Sequence, residues 1–318
     1  MAVFNSICNT PCDANCNVRV LQWNCNGLVA HGNELKQHIL SNSGKYHVIC
    51  LQETFLKPGK YFALPGYSSV RHDREDGAKG GLVTLVKEGL KYTELKTSSS
   101  LECIIIKLKL SQGFLRVINM YIPPGKTITE NYFDSFPLDS HTVLVGDLNA
   151  KSRLWGSPFS DERGRLLEEV IEGKDIVVIN SGQPTYQHHN GSQSHLDVAI
   201  VSSDLAARAS WSLINNTLGS DHCPTIVTLD EYEYQIEDTE WSTFKLTKAD
   251  WSHFKSICNQ SLTTSTVTRS GTNSVVDVDD MYENIVRAII TAAEKSIPQT
   301  RNRNKCLSRN PWLGSLSP

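Results

Sequence analysis

Apolar residues in this chain gather in short runs, several alternating with polar positions and several ended by glycine, proline, asparagine or aspartate. That pattern is the signature of strands. It predicts them at 18–23, 47–52, 80–86, 102–110, 114–121, 142–149, 176–180, 196–201 and 224–229. Ser111-Gln-Gly113 separates two of them as a hairpin turn, and Tyr121-Ile-Pro-Pro-Gly125 halts the ladder, since proline has no amide hydrogen to donate. Helical spacing is rarer. Leu35, His38 and Ile39 predict a helix over 33–43 with Asn33 as N-cap, and Leu166, Leu167, Val170 and Ile171 predict one over 161–171. Met281, Ile285, Ile289 and Ala292 predict a third over 279–297, stopped by Pro298. Strands in hairpins with few helices between them indicate an α+β fold with largely antiparallel sheets rather than a βαβ winding.

Composition divides the chain. Residues 1–17 are polar and irregular, a flexible leader, and the strand set occupies 18–230. At about residue 230 the chain turns acidic and later Ser/Thr-rich over 261–274, so 231–318 reads as a linker-like helical extension, partly disordered, whose last helix needs Trp241, Trp251 and Phe254, or an absent domain, as its partner. With 39% hydrophobic and 20% charged residues, the chain has the balance of an ordinary soluble protein. A net charge of -3 gives no global pull toward a polyanion, so nucleic-acid binding would need local basic patches or a metal ion. Nine cysteines without paired zinc-type spacing predict reduced thiols and a nuclear or cytoplasmic protein, neither secreted nor membrane-inserted; Cys8, Cys12 and Cys16 lack a nearby fourth ligand.

The chemistry gathers where apolar runs end. The run from Thr142 enters Gly146-Asp147-Leu148-Asn149; in extended geometry Asp147 and Asn149 share a face while Leu148 turns into the core. A carboxylate beside an amide suits the handling of a water and a phosphoryl oxygen. Asn24 and Asn26 share a face by the same rule, ahead of Gly27. Glu53 follows one strand, Tyr121 ends another, Asp197 opens a third, and Asp221-His222 lies just before the last. Each alone is an ordinary turn residue. Two packed sheets, however, bring strand ends to one rim, and a carboxylate such as Asp197 could hold His222 in one tautomer with raised basicity. His188-His189 reads as a solvated loop pair, while Arg71, Arg74, Lys79, Arg153 and Arg163 are candidates for contacts to phosphates.

These residues also carry a resemblance. Gln22-Trp-Asn-Cys-Asn-Gly27, Leu51-Gln-Glu-Thr54, Gly146-Asp-Leu-Asn149, Leu196-Asp197 and Ser220-Asp-His222 resemble, in order, the motifs of the endonuclease/exonuclease/phosphatase superfamily over residues 18–229. Asn149-Ala-Lys-Ser-Arg-Leu-Trp-Gly156, Arg163-Gly164, Gly182-Gln-Pro-Thr-Tyr186 and Ser194-His-Leu-Asp197 resemble the endonuclease domain of LINE-type (non-LTR, jockey-like) retrotransposons. The region after 230 is similar to the linker such polyproteins carry before a reverse transcriptase, which this sequence lacks.

The resemblance implies a deoxyribonuclease I-like, four-layered α/β sandwich of two facing sheets with helices outside. It implies an endonuclease that nicks duplex DNA by in-line attack of water, leaving 3′-hydroxyl and 5′-phosphate ends as in target-primed retrotransposition. Glu53 would be the principal ligand of Mg²⁺, with Mn²⁺ as the alternative, and Asn24 or Asn26 and Asp221 would stand close to the metal. Asp147 would orient or deprotonate the water, Asn149 would hold it or a phosphate oxygen, and Tyr121 would support the developing charge. His222, buttressed by Asp197, would serve the scissile phosphate. Thr185 would face DNA, to which the basic residues Arg153 and Arg71 are further candidate contacts, and element RNA or a reverse transcriptase region would be further partners. Two other readings share the motifs: a superfamily phosphatase or phosphodiesterase acting on a small phosphorylated molecule, and a domesticated fragment that binds DNA or protein without catalysis.

Overall fold

The computed structural model describes residues 17–42, 45–60, 62–74, 79–96, 100–111, 113–134, 136–230, 241–267 and 278–302. The chain divides into two compact units, Met1–Ile236 and Glu237–Pro318. The first begins with β1 (Val18–Asn24), α1 (Leu28–Ser41), β2 (Val48–Gln52), β3 (Tyr67–His72), β4 (Leu82–Lys87) and β5 (Tyr92–Leu95). It continues with β6 (Glu102–Leu110), β7 (Gly113–Tyr121), β8 (Thr142–Asp147), α2 (Glu162–Gly173) and β9 (Ile176–Val178). Last come β10 (Tyr186–Gln187), β11 (Gln193–Ser194), β12 (Asp197–Ser202), α3 (Ser203–Ala206), β13 (Ala209–Leu213) and β14 (Thr225–Leu229).

Two six-stranded sheets result, in the orders β13-β14-β1-β2-β4-β3 and β5-β6-β7-β8-β12-β9. Alternation along each strand divides its side chains between two apolar layers. Val20, Val48, Val117, Val145, Ala199 and Val227 pack into the layer between the sheets. Leu21, Trp23, Ile49 and Leu51 face α1 through Leu28, Leu35 and Ile39, while Ile118, Leu144 and Val198 face α2 through Leu167, Val170 and Ile171. Helix, sheet, sheet and helix therefore make the expected four layers.

Each sheet is antiparallel except for one pair, β1 with β2 and β7 with β8. The first of these is a βαβ crossover through α1, a winding that the hairpin reading of the sequence excluded. The two parallel pairs decide where chemistry can gather. They bring the C-terminal ends of β1, β2, β7 and β8 to one edge of the sandwich, where the antiparallel neighbours β12 and β14 begin.

Other expectations need correction. The first helix starts at Leu28, so Asn33 lies inside it, and no side chain caps it. Its entry is secured by backbone instead: Gly27 N–H donates to Glu53 O at 2.8 Å and Leu28 N–H to Thr54 O at 3.0 Å, which leaves no capping residue to read in the sequence. β3, β5 and β13 are edge strands with little apolar content and were not expected from the pattern.

The second unit holds β15 (Trp241–Phe244), α4 (Trp251–Val267), α5 (Val278–Ser296) and β16 (Gln299–Asn302). α4 covers half of the Ser/Thr-rich stretch expected to be flexible; the remainder, like the leader with Cys8, Cys12 and Cys16, lies outside the described residues. The buried stripe of α5 runs through Ala288 and Ala292, whereas Ile285 and Ile289 are exposed, so its packing face is rotated from the expected one. Among the described residues no helix is long and apolar enough to cross a membrane, and Cys25, Cys50, Cys103, Cys223 and Cys258 are free thiols.

The β7–β8 pairing has no room for a side chain at Gly146, where a Cβ would fall 1.9 Å from the carbonyl oxygen of Met120. Gly146→Ala is expected to lower unfolding stability by about 3 kcal/mol, read as an earlier urea midpoint. An unchanged midpoint would show that the two strands are not held this closely.

Candidate active site

Along the face turned to the other sheet, each central strand runs apolar and then turns polar at the same edge. Val18, Val20, Gln22 and Asn24 do so on β1; Val48, Cys50 and Gln52 on β2; Val117, Asn119 and Tyr121 on β7; Val143, Val145 and Asp147 on β8. β12 and β14 read in reverse, from Asp197 to Val201 and from Thr225 to Leu229. Strand register does the rest, because Asp197 pairs directly with Asp147 across β12 and β8, and Tyr121 with Asp147 across β7 and β8.

Asp147 and Asp197 are each 1% exposed. A buried carboxylate has to be met by donors. Asp147 Oδ2 accepts from Asn24 Nδ2 at 2.8 Å and Asn149 Nδ2 at 3.1 Å, and its Oδ1 accepts from the Asn149 backbone N–H at 3.0 Å. Asp197 Oδ2 accepts from His222 Nδ1 at 2.7 Å, and Oδ1 from Gln22 Nε2 at 2.7 Å. His222 is fixed from two more sides: Trp23 Nε1 donates to its carbonyl at 3.0 Å, and the Tyr186 ring lies 4.7 Å from its own. Its free nitrogen, Nε2, stands 3.8 Å from Asp147 Oδ2.

Burial works against a charged His222, but Asp197 beside it, with Asp147 and Asp221 nearby, outweighs burial and pushes its pKa up to about 9. Burial raises Asp147 to about 7, opposed by His222 and by the amides of Asn24 and Asn149. The Tyr121 phenol is pushed up by burial and by Glu53, stays protonated, and donates to Glu53 Oε1 at 2.8 Å.

Glu53 and Asn149 follow strand ends in left-handed backbone, with φ of 50° and 47°, and Asn26 has φ of 42°. Asparagine tolerates this region, while a glutamate there is strained and has to be held. The expected extended pairing of Asp147 with Asn149, and of Asn24 with Asn26, is therefore replaced by a tight turn that folds the second residue back beside the first. Leu148 does turn into the core, fully buried.

Glu53 accepts from Asn24 Nδ2 at 3.1 Å and from Tyr121, both on Oε1, which leaves Oε2 without a protein donor among the described residues. Asn26 Nδ2 donates to Asp221 Oδ1 at 3.2 Å, leaving the Asn26 amide oxygen for another partner. Among the described residues no three His, Cys, Asp or Glu side chains cluster so as to hold a metal by themselves. An all-oxygen set of Glu53, Asp221 and the Asn26 amide nevertheless fits a hard cation that keeps several of its waters. These groups, with Asp147, Asn149 and His222, line a cleft of about 380 Å³ whose walls add Lys79, Lys151, Tyr186 and His188.

Several expectations fail at this rim. Thr185 does not face solvent; it is 1% exposed, and its hydroxyl accepts the backbone N–H groups of Leu196 and Asp197. Arg71 is paired with Asp73 at 2.6 Å, and Arg74 with Glu102. Arg163 is a clamp, its guanidinium donating to the carbonyls of Pro123, Pro124, Lys126, Leu148 and Asn149. Arg153 alone of the expected DNA contacts Thr185, Arg153 and Arg71 keeps an exposed side chain with only a long bond, 3.4 Å to Pro158 O. His188 is no free loop residue, since its Nε2 meets Ser194 Oγ at 2.8 Å and its ring packs on Tyr186. Gln22, Gln52 and Asn119 carry no role among the expected site residues, although an amide interrupting a buried run just before Asn24, Glu53 or Tyr121 is a readable signal.

A family model described as endonuclease-reverse transcriptase matches residues 115–226. The polymerase of the mobile element jockey from Drosophila melanogaster is 30% identical over 214 residues, 65% of this chain and 23% of that protein. Its counterpart from Drosophila funebris is 24% identical over 94% of this chain and 33% of its own length. By these matches the chain is similar to the LINE-type endonuclease domains of the endonuclease/exonuclease/phosphatase superfamily. It spans about a quarter to a third of the curated relatives it matches. Two solved structures share the superfamily fold: the endonuclease domain of TRAS1, a telomere-specific non-LTR retrotransposon, and an AP endonuclease from Leishmania major. The first has a TM-score of 0.56 at 20% identity, covering 67% of this chain and 98% of that one. The second has 0.57 at 18%, covering 68% and 88%.

Because Arg163 holds the carbonyls on both sides of Asn149, Arg163→Ala is expected to cost roughly 2–4 kcal/mol of stability, a loss that Arg163→Lys does not recover. Urea unfolding reads this directly. A stable Arg163→Ala protein whose only defect is weaker, less salt-dependent DNA binding would return Arg163 to the phosphate-contact role.

Proposed function

We propose that residues 18–229 act as a metal-dependent endonuclease that nicks duplex DNA, water attacking the phosphodiester in line and leaving a 3′-hydroxyl and a 5′-phosphate. The observation that carries this reading is the meeting in one cleft of Asp147, a buried carboxylate with raised proton affinity, and His222, an imidazole paired to a second buried carboxylate, 3.8 Å apart. The matched relatives, polymerases of mobile elements and an endonuclease of a telomere-specific element, turn the reading toward DNA.

Asp147 is placed to accept a proton from water near neutral pH, with Asn149 holding that water or a phosphoryl oxygen. His222 keeps Nδ1–H on Asp197 and presents Nε2 to the scissile phosphate, donating to an oxygen that gains charge as the bond breaks. The Tyr121 hydroxyl keeps the Glu53 carboxylate turned toward the cleft. Magnesium held by Glu53, Asn26 and Asp221, or manganese in its place, would supply charge neutralisation at the phosphoryl group and the leaving oxygen. Positioning and charge, rather than covalent chemistry, carry such a reaction.

Supercoiled plasmid should be nicked in Mg²⁺ and left intact in excess chelator, and Glu53→Gln should lower the rate by roughly 10²-fold or more. Nicking that persists in chelator would sink the metal mechanism. His222→Ala and Asp197→Ala should each cost about 10² to 10⁴ in rate, with the double variant little worse than His222→Ala, because the two side chains act as one unit. Losses that multiply would separate them. The nicks should be extended directly by a polymerase. A requirement for phosphatase before extension would refute the proposed ends, and turnover confined to nucleotides or phosphoinositides would move the protein to the phosphatase reading.

A further inference from the structure

The largely apolar layer between the sheets is crossed by a continuous line of buried amides that leads to its polar edge. Gln22 on β1, Gln52 on β2 and Asn119 on β7 are each no more than 1% exposed, as is Asp197 on β12, and Thr225 on β14 is 2% exposed. Asn119 Nδ2 donates to the carbonyls of Val83 and Leu51 at 3.2 and 3.3 Å and to Thr84 Oγ1 at 3.1 Å. Its Oδ1 accepts from Gln52 Nε2 at 2.6 Å, and Gln52 Oε1 accepts from Gln22 Nε2 at 2.8 Å. The second hydrogen of Gln22 Nε2 goes to Asp197 Oδ1 at 2.7 Å, while Thr225 Oγ1 donates to Gln22 Oε1 at 2.8 Å.

This line has a direction. At one end stand backbone carbonyls and at the other a carboxylate, groups that only accept. Turning over the Gln22 amide would set its oxygen against Asp197 Oδ1 and Gln52 Oε1 together and its nitrogen against the Thr225 hydroxyl. Each amide therefore has one orientation, and the sum of them is a single N–H aimed at Asp197. The carboxylate then has no rotational freedom: Oδ1 is held by Gln22, Oδ2 by His222, and the backbone by Thr185 and Asn180. Fixing the carboxylate plane fixes the imidazole plane, and with it the direction of Nε2.

Apolar side chains would fill the same space without the desolvation cost of three amides, so packing alone does not account for the line. We propose that Gln22, oriented by Thr225, Gln52 and Asn119, is a positioning residue for the Asp197–His222 pair, setting the direction in which His222 Nε2 meets the phosphate. This rests on the endonuclease reading for its kinetic consequence, but the geometric consequence holds without substrate.

The test compares Gln22→Met, Thr225→Val, Thr225→Ser and Asn119→Leu with the wild-type chain of 318 residues. Plasmid nicking, urea unfolding, and the downfield proton resonance of His222 Nδ1–H in substrate-free protein are read together. In Gln22→Met, kcat should fall about 10²-fold with KM unchanged, and the Nδ1–H resonance should move or broaden. Thr225→Val should do the same to a smaller degree, and Thr225→Ser, which restores the hydroxyl, should return both readouts. Asn119→Leu cuts the line at its far end; it should lose stability comparably yet keep more of kcat and the resonance. An unmoved resonance in both Gln22→Met and Thr225→Val would overturn the proposal. Should Gln22→Met not fold, Thr225→Val with wild-type kcat and resonance overturns it as firmly. Wild-type protein that does not nick DNA would refute the endonuclease reading, and the resonance would still decide the positioning role.

Discussion

Two carboxylates, Asp147 and Asp197, sit directly opposite each other on neighbouring strands with almost no access to water. Left to themselves, two like charges in a dry layer would repel each other and lose their hydration, a cost of several kcal/mol per ion. The surroundings offset it locally: Asn24 and Asn149 donate to Asp147, while Gln22 and His222 donate to Asp197. His222 also brings a positive charge between the two, which is why its proton is held so firmly and why Asp147 is not driven higher still.

That requirement explains features that otherwise look unrelated. Asn149 takes left-handed backbone because only a tight turn lets both its amide and its N–H reach the carboxylate two residues earlier. Gly146 has to be glycine because β8 approaches β7 closely at the point where Asp147 must be delivered beside Tyr121. The two parallel strand pairs gather donors from β1, β2 and β7 at the edge where β12 begins. The same groups that make the carboxylates tolerable leave Asp147 and the far nitrogen of His222 facing a cleft, so compensation and chemistry share one set of side chains.

Much of this was legible in the sequence, and the rest was hidden for physical reasons. Apolar runs with period-two alternation located the central strands, and the polar residues closing them located Asn24, Glu53, Tyr121, Asp147, Asp197 and His222. Edge strands β3, β5 and β13 escaped because they bury little, and the start of α1 escaped because carbonyls of residues 53 and 54 replace a capping side chain. Thr185 faces DNA only by resemblance, and Arg163 suggests a phosphate contact because a guanidinium near a helix start looks available. Only the fold shows that their partners are backbone groups distant in sequence. Gln22, Gln52 and Asn119 were visible as amides inside buried runs, but their common purpose depends on which strands face each other.

The most direct test of the account is an equilibrium unfolding cycle on the compensated pair, made in urea with metal removed, comparing wild type with His222→Leu, Asp197→Leu and the double variant. Each single change leaves an unmatched buried charge and is expected to cost about 3–5 kcal/mol, whereas the double change removes both charges and should be more stable than either single variant. Additive losses, or a His222→Leu protein as stable as the wild type, would contradict the claim that mutual compensation of buried charge holds this site together.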